Sequence, residues 1–353
     1  MRPFDGDKLN ALVGKLVGNL SASLSGALIV LGDRLGIYKA MADGTEFTPE
    51  TLAKKTGLNE RYLREWLSAQ AAAGFVDYNA SAKTFSLNAE QAMAFAEEGS
   101  PAFFTGAFEV AQAMWLDEPK IEEAFKTGKG FGWHEHSKCL FSGTERFFRP
   151  GYNANLVGNW IPALSGVKEK LERGAVVADI GCGHGASTII LAQAFPKSKF
   201  YGFDYHEGSI ERAKAAAKEA GVADRISFAR ASAKDFPKHN YDLVAMFDCL
   251  HDMGDPVGAG KHVRETMAPE GSWMIVEPFA NDDLKDNLNP VGTIYYSAST
   301  MLCTPASKSQ EVGLALGAQA GEARMRKVTE EAGFKRFRRA AETPFNLIYE
   351  VRA

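Results

Sequence analysis

The 353-residue chain reads as an α/β protein built on a doubly wound, mostly parallel sheet, with a smaller helical domain in front of it. Three observations predict this. Short apolar runs alternate with helical stretches from residue 176 to the C-terminus. The first run, Val176–Ile180, carries Asp179 and opens into glycines at alternate positions, Gly181, Gly183 and Gly185, before a helix begins at Ala186. The last two runs, 335–340 and 346–351, are separated only by a turn at Thr343 and Pro344, so the sheet ends in an antiparallel hairpin.

Taken from the N-terminus, residues 1–90 form the smaller domain. A helix is predicted over Asp33–Met41. Thr48 caps a second, with Pro49 in its first turn, and Asn59 caps a third. In that third helix Tyr62 and Trp66, and Leu63 and Leu67, repeat at helical spacing. Gly74–Tyr78 and Thr84–Leu87 then read as two short strands, giving a winged helix. Such a domain raises the possibility of a DNA-binding regulator. Between Leu31 and Glu90, however, seven Lys/Arg face eight Asp/Glu, a local net of -1, where phosphate binding needs a basic surface.

Residues 91–170 read as a mostly helical linker and cap rich in aromatic residues. Glycine and aromatic side chains concentrate in 130–136 and 141–153, which suits a cover over a substrate, with Trp133, Phe141 and Tyr152 as candidate contacts. His134 and His136 raise a metal site, but with Glu135 between them they match no recognised ligand spacing. They read as polar loop residues, and no metal is expected.

The main domain, 171–353, opens on the glycine run. Glycine lets the backbone approach a ligand where a side chain would block it, and the following helix points free N–H groups at the same place. The adenosine end of a cofactor is expected there. A nicotinamide dinucleotide would set its pyrophosphate beside Asp179, which repels it. S-adenosylmethionine has no phosphate and brings an ammonium group that a carboxylate favours. The next apolar strand ends at Asp204, nineteen residues past Gly185, at the spacing for a carboxylate on ribose hydroxyls. Tyr205 stands where it can lie against adenine. A helix over Ser209–Ala220, closed by Gly221, leads to a third strand, Ile226–Ala229, and the loop containing Ser232 and Ala233. The fourth strand, Asp242–Phe247, runs into Asp248-Cys249-Leu250-His251-Asp252. Ser272–Glu277 forms the fifth, and Glu322–Ala332 the last helix.

The D-x-G-x-G-x-G pattern of 179–185 resembles motif I of the class I S-adenosylmethionine-dependent methyltransferases, and 248–256 resembles the H-D-W-x-D segment of the small-molecule O-methyltransferases among them. His251 and Asp252 match the His-Asp pair, Met253 replaces the usual Trp, and Phe247 stands where many relatives have Lys. The resemblance implies a Rossmann-like seven-stranded sheet, S-adenosylmethionine as cofactor, and His251 as general base. It places Asp179, Gly181, Gly183, Gly185, Asp204, Tyr205, Ser232, Ala233 and Phe247 around the cofactor. Ser232 occupies a position that is commonly acidic in the family. Glu277 is a second catalytic candidate, able to orient His251 or to bind substrate. Asp248, with Tyr295 and Tyr296 from an aromatic stretch at 289–297, joins the substrate contacts. The N-terminal domain resembles the dimerisation domain of the same enzymes, so a homodimer is expected.

Two readings of His251 stay open at this point: general base, or a structural residue that caps the helix beginning after Pro256 or bonds the backbone. The nucleophile is also open, with oxygen favoured over nitrogen, sulfur or carbon. So is a winged-helix regulator that senses S-adenosylmethionine. Composition narrows the rest. A formal net charge of -4 disfavours general affinity for nucleic acid or anionic membrane. The cysteines, at 139, 182, 249 and 303, form no C-x-x-C pair or disulfide framework. Leu20–Leu31 is mildly apolar but too short and too rich in Ser and Gly to span a bilayer. A cytoplasmic protein is expected.

Overall fold

A computed structural model describes residues 2–353, which divide into two compact units: residues up to Gln112 together with Ser142–Pro150, and Ala113–Phe141 together with Gly151–Ala353. The segment 91–170, expected as one connector, is shared between them.

The first unit opens with helix α1 (Gly6–Arg34), whose first N–H groups, on Asp7 and Lys8, donate to the Asp5 carboxylate. This corrects the sequence expectation of a short apolar stretch. Serines and glycines interrupt the apolar run without breaking the helix, and α1 is long and apolar enough to cross a membrane by length and composition. Leu9, Leu12, Leu16, Leu20 and Leu24 are all exposed on it. The single helix expected over Asp33–Met41 is also corrected. Gly36 adopts φ +69°, ending α1 and starting α2 (Ile37–Met41). Helices α3 (Pro49–Thr56) and α4 (Glu60–Ala72) start at the caps expected from sequence, Thr48 and Asn59. Trp66, Leu63 and Leu67 turn inward from α4, whereas Tyr62 stays 80% exposed. Strands β1 (Asp77–Asn79) and β2 (Thr84–Ser86) pair as the wing, followed by α5 (Ala89–Phe95). The core gathers Ile29, Tyr38, Leu52, Trp66, Leu67 and Phe95, and the Tyr38 hydroxyl donates to Gln70 at 2.6 Å. Helices α6 (Thr105–Thr127) and α7 (Cys139–Asn155) contribute to both units. Within the first, Arg146 on α7 donates two hydrogen bonds to the buried carboxylate of Asp33, at 2.6 and 2.9 Å.

In the second unit, a π-helical turn at Leu156–Trp160 leads into α8 (Ile161–Ala163) and α9 (Val167–Arg173). The sheet then alternates with its helices: β3 (Val176–Ile180), α10 (Ala186–Ala194), β4 (Lys199–Asp204), α11 (Glu207–Glu219), β5 (Ile226–Arg230), β6 (Tyr241–Phe247), α12 (Pro256–Thr266) and β7 (Met267–Pro278). After β7 come α13 (Pro290–Ala298), a π-helical turn at Ser299–Cys303, α14 (Thr304–Lys308) and α15 (Gly321–Glu331), then the hairpin β8 (Arg336–Glu342) and β9 (Asn346–Arg352). Spatial order is β5-β4-β3-β6-β7-β9-β8, parallel except for β9, which runs antiparallel to both neighbours. The order reverses around β3, the first strand, so the crevice at its C-terminal end is the natural ligand site of the sheet. The central strands are near-continuous apolar runs because helices cover both faces. Ala178, Ile180, Val244, Met246, Trp273 and Ile275 are almost fully buried.

Candidate active site at the carboxyl ends of the parallel strands

The end of β3 is shaped by glycine. Gly181, Gly183 and Gly185 have φ of +72°, +53° and +81°, a region costly for any residue with a Cβ. Their surroundings separate them. A Cβ on Gly181 would stand 2.8 Å from Cys249 Sγ, and one on Gly185 2.6 Å from the Phe228 ring, so these two are glycines because neighbours pack on them. Gly183 has nothing within 4 Å of that position and opens onto free space.

Asp179, just before the glycine turn, is buried. Its Oδ2 accepts from the Ser187 and Thr188 hydroxyls, both at 2.6 Å, which ties β3 to the first turn of α10. Its Oδ1 is buried with no donor among the described residues. Burial pushes this carboxyl up to about 6 despite the two hydroxyls. A cationic donor at Oδ1 would favour the ionised form, so the site fits a ligand that carries an ammonium group.

Asp204, at the end of β4, closes the glycine turn. Oδ2 accepts from the Gly183 N–H at 3.0 Å and Oδ1 from the His206 N–H at 2.8 Å, while burial raises its pKa. A carboxylate oxygen has two acceptor sites, so ribose hydroxyls can still be received there. Tyr205 is partly exposed, its ring edge-on to His134 at 5.9 Å between centroids. In the next loop the Ser232 hydroxyl donates to Asp235 at 2.9 Å and accepts from the Lys234 N–H, which fixes a tight turn that carries Ala233.

Beyond β6 the chain turns at Asp248, a non-glycine at φ +50°. The turn is held by its carboxylate, which accepts from Tyr152 Oη at 3.0 Å and Asn346 Nδ2 at 2.9 Å. Burial, then the nearby Glu277 charge, pushes Asp248 up to about 8. Phe247, buried, packs on Tyr152 at 5.3 Å. His251 follows on a 3-10 turn, 3% exposed, with Nδ1 2.5 Å from Glu277 Oε2 at the end of β7. Its Nε2 lies 3.1 Å from Asp252 Oδ1, but that oxygen makes no aligned hydrogen bond. Burial lowers the imidazole pKa, and Glu277 and Asp252 more than reverse this, leaving it well above 6.5. The cap of α12 is Asp255, whose carboxylate accepts from the Gly258 N–H at 2.7 Å. Cys303 joins the group. One ligand atom each from His251, Asp252 and Cys303 lies within 4.8 Å of the others, a set of donors that a cation can share.

The aromatic segments flank this end of the sheet. Phe141 stacks on His206 at 4.7 Å, and Trp133 meets Phe141 edge-on at 6.3 Å. Tyr295 is buried with its hydroxyl on the Phe345 carbonyl at 2.7 Å, and Tyr296 is half-buried on the same helix. His136 departs from the loop expectation. It is buried, and its Nδ1 lies 2.9 Å from Asp117 Oδ2. Of the two histidines, only His134 is exposed.

Sequence reasoning missed Ser187, Thr188, Asn346, Cys303 and the Asp117–His136 pair. Two hydroxyl residues in the first helical turn after a glycine run were a usable signal for the first pair. Asn346, Cys303 and Asp117 are brought in by tertiary folding from 98, 51 and 19 residues away from the groups they meet, and no local pattern marks them.

Comparison with known proteins gives two family matches, a methyltransferase domain at residues 171–333 and an Rv2258c-like winged HTH domain at 23–96. Among curated relatives, the 27-O-demethylrifamycin SV methyltransferase of Amycolatopsis mediterranei is 32% identical over 29% of this chain and 38% of its own length. A probable tocopherol O-methyltransferase of Oryza sativa is 31% identical over 28% of each chain. The chain thus spans well under half the length of these relatives. Solved structures match along almost the whole chain. A putative O-methyltransferase from Nostoc punctiforme has a TM-score of 0.74 at 19% identity, covering 96% of this chain and 98% of its own. Mitomycin 7-O-methyltransferase gives 0.70 at 19% identity, covering 99% and 100%, and human N-acetylserotonin methyltransferase 0.72 at 13%, covering 100% and 99%. At such identities these likenesses establish the shared fold.

Proposed function

With a methyltransferase domain at 171–333 behind an N-terminal winged helix as premise, we propose that this chain is an S-adenosylmethionine-dependent methyltransferase that methylates a hydroxyl, such as a phenol, on a small molecule. The observation that carries the oxygen assignment is the His251–Glu277 pair beside the glycine turn. The cofactor, when bound, supplies a methyl group activated by its sulfonium. Asp179 Oδ1 receives the ammonium of the methionyl tail, Gly183 admits the backbone-side approach, and Asp204 accepts from ribose hydroxyls. Tyr205, Phe247, Ser232 and the Ala233 backbone surround adenosine. Trp133, Phe141, Tyr152, Asp248, Tyr295 and Tyr296 line the substrate side.

His251 handles the proton. Glu277 holds Nδ1, so Nε2 is the nitrogen left to take a proton from the acceptor hydroxyl. Glu277 and Asp252 raise the His251 pKa, which favours the protonated ring, and the reactive complex holds one proton fewer: neutral imidazole with phenol, or imidazolium with phenolate. Either form is populated only as pH rises, so methyl transfer climbs with pH through a limb above 6.5. Most of the acceleration comes from alignment of nucleophile and methyl group, and the base adds about 10²–10⁴-fold. His251→Ala is the test. Cofactor affinity should be nearly intact, with methylation slowed by about two or more powers of ten. Unchanged turnover would make His251 a structural residue and favour a nucleophile already deprotonated in water.

The winged helix fits pairing of subunits better than DNA. On α4, Arg61 is matched with Glu65, and Arg64 with Glu60 and Glu50, which cancels the positive field that phosphates need. The apolar stripe of α1, with Leu9, Leu12, Leu16, Leu20 and Leu24 at about one-turn spacing, suits the same helix in a second copy. We assign the protein to the cytoplasm, where Cys182, Cys249 and Cys303 remain thiols.

A further inference from the structure

A second histidine–carboxylate pair lies beside the substrate segments, and the reaction above makes no use of it. His136 follows the 3-10 turn Trp133–Glu135 and is 5% exposed. Asp117, on α6, is equally buried, and its carboxylate is saturated. It faces His136 Nδ1 at 2.9 Å and accepts from the Ser137 N–H and hydroxyl, each at 2.9 Å, and from Lys120 Nζ at 3.1 Å. A carboxylate offers only acceptors, so it fixes the proton of His136 on Nδ1 and leaves the lone pair on Nε2. Burial lowers the His136 pKa against the pull of Asp117, which keeps the ring neutral at pH 7. Nε2 is then a buried acceptor, and no donor reaches it among the described residues. Buried polar atoms without partners are rare and call for a ligand or water.

Two runs of contacts link the surroundings of this acceptor to the end of β4 and to His251. Toward the cofactor, His136 meets Trp133 at 5.9 Å, Trp133 meets Phe141, and Phe141 stacks on His206, whose N–H donates to Asp204. Toward the base, Gly130 sits so close to α14 that a Cβ there would lie 1.9 Å from the Pro305 carbonyl oxygen. Cys303, two residues before Pro305, groups with His251 and Asp252. The charge of Asp252 is felt at His136.

We propose that His136 Nε2 accepts a hydrogen bond from a second donor on the methyl acceptor, a hydroxyl or N–H other than the group that is methylated. His136 is thus a specificity-determining residue that selects substrates with two donors. His251 cannot do the same work, because its Nδ1 is held by Glu277 and its Nε2 serves the group that is methylated. The inference rests on the small-molecule methyltransferase reading.

The test uses the full chain saturated with S-adenosylhomocysteine, titrated by calorimetry with phenol, catechol, resorcinol and hydroquinone. At least one diphenol should bind about 5–100-fold more tightly than phenol, the range for satisfying a buried acceptor. His136→Phe and His136→Leu should erase that advantage, and His136→Gln, which keeps an acceptor oxygen, should restore part of it. Retained S-adenosylhomocysteine affinity in each variant certifies its fold. No preference for any diphenol, or a preference that survives both apolar variants, overturns the inference and leaves a buried water as the partner of Nε2. If S-adenosylhomocysteine fails to bind the unaltered protein, the methyltransferase reading itself has failed, and the inference with it.

Discussion

Replacing Glu277 with Gln removes a charge 2.5 Å from His251 Nδ1 while keeping an acceptor of the same shape. In the intact protein, burial depresses the His251 pKa, and Glu277, followed by Asp252, lifts it well above 6.5. Losing one adjacent carboxylate should lower the imidazole pKa by about one to three units, the usual effect of a close opposite charge. Histidine side-chain ¹⁵N NMR over pH 5–10 reads this without any substrate, with His251→Asn identifying the resonance among the seven histidines. The sign extends to stability. A group whose folded pKa is raised contributes stability that is fully present below its unfolded value, here 6.5, and is lost as pH rises through the folded value. Glu277→Gln should therefore destabilise the protein most below pH 6.5, and progressively less above it. A His251 resonance that titrates at or below 6.5 in the unaltered protein, or that ignores the Gln substitution, refutes the electrostatic account of the pair.

Other consequences follow from the same geometry. Gly183→Ala should fold with a loss of roughly 1–2 kcal/mol for its left-handed backbone, yet bind S-adenosylhomocysteine much more weakly, because its Cβ enters the open space proposed for the cofactor. Gly185→Ala should lower the melting temperature further, since its Cβ meets the Phe228 ring and overpacking adds roughly 1–3 kcal/mol; the reverse order in melting and calorimetry would contradict the assignment of the two glycines. Asp204→Ala leaves the Gly183 and His206 N–H groups without their acceptor and should weaken cofactor binding by roughly 1–3 kcal/mol, measured by calorimetry. Sedimentation should report a dimer, and Leu12→Glu together with Leu16→Glu on α1 should yield monomers. If the doubly substituted chain stays dimeric, α1 is not the contact, and recovery of the intact chain with membranes would assign α1 to a bilayer instead.

Much of the fold is legible in the sequence because its signals are local. The strands of the large sheet are short apolar runs with turn residues between them, and Thr48, Asn59 and Gly221 punctuate helices by rules that act within one turn. The alternating glycines mark the turn after β3 by composition alone, since few other residues tolerate the positive φ found at each of them. Segment boundaries are less legible. Gly36 ends a helix that apolar spacing alone would continue, and the serines and glycines within α1 do not break it, although their helix propensity is low. At the candidate site, His251 and Glu277 are each visible as polar residues at strand ends, and folding brings them together. The burial of His136 is invisible in the sequence, because its partner Asp117 lies on a helix 19 residues earlier and nothing in the spacing announces their meeting.

The turn at Gly181–Gly185 is proposed to hold S-adenosylmethionine, with Asp179 Oδ1 as the seat of its ammonium group. Calorimetry with S-adenosylhomocysteine and with NAD tests it most directly. One S-adenosylhomocysteine should bind per chain, roughly tenfold or more weakly in Asp179→Asn, where the charge partner of the ammonium is lost, and NAD should give no heat. Tight NAD binding with no response to S-adenosylhomocysteine would contradict it.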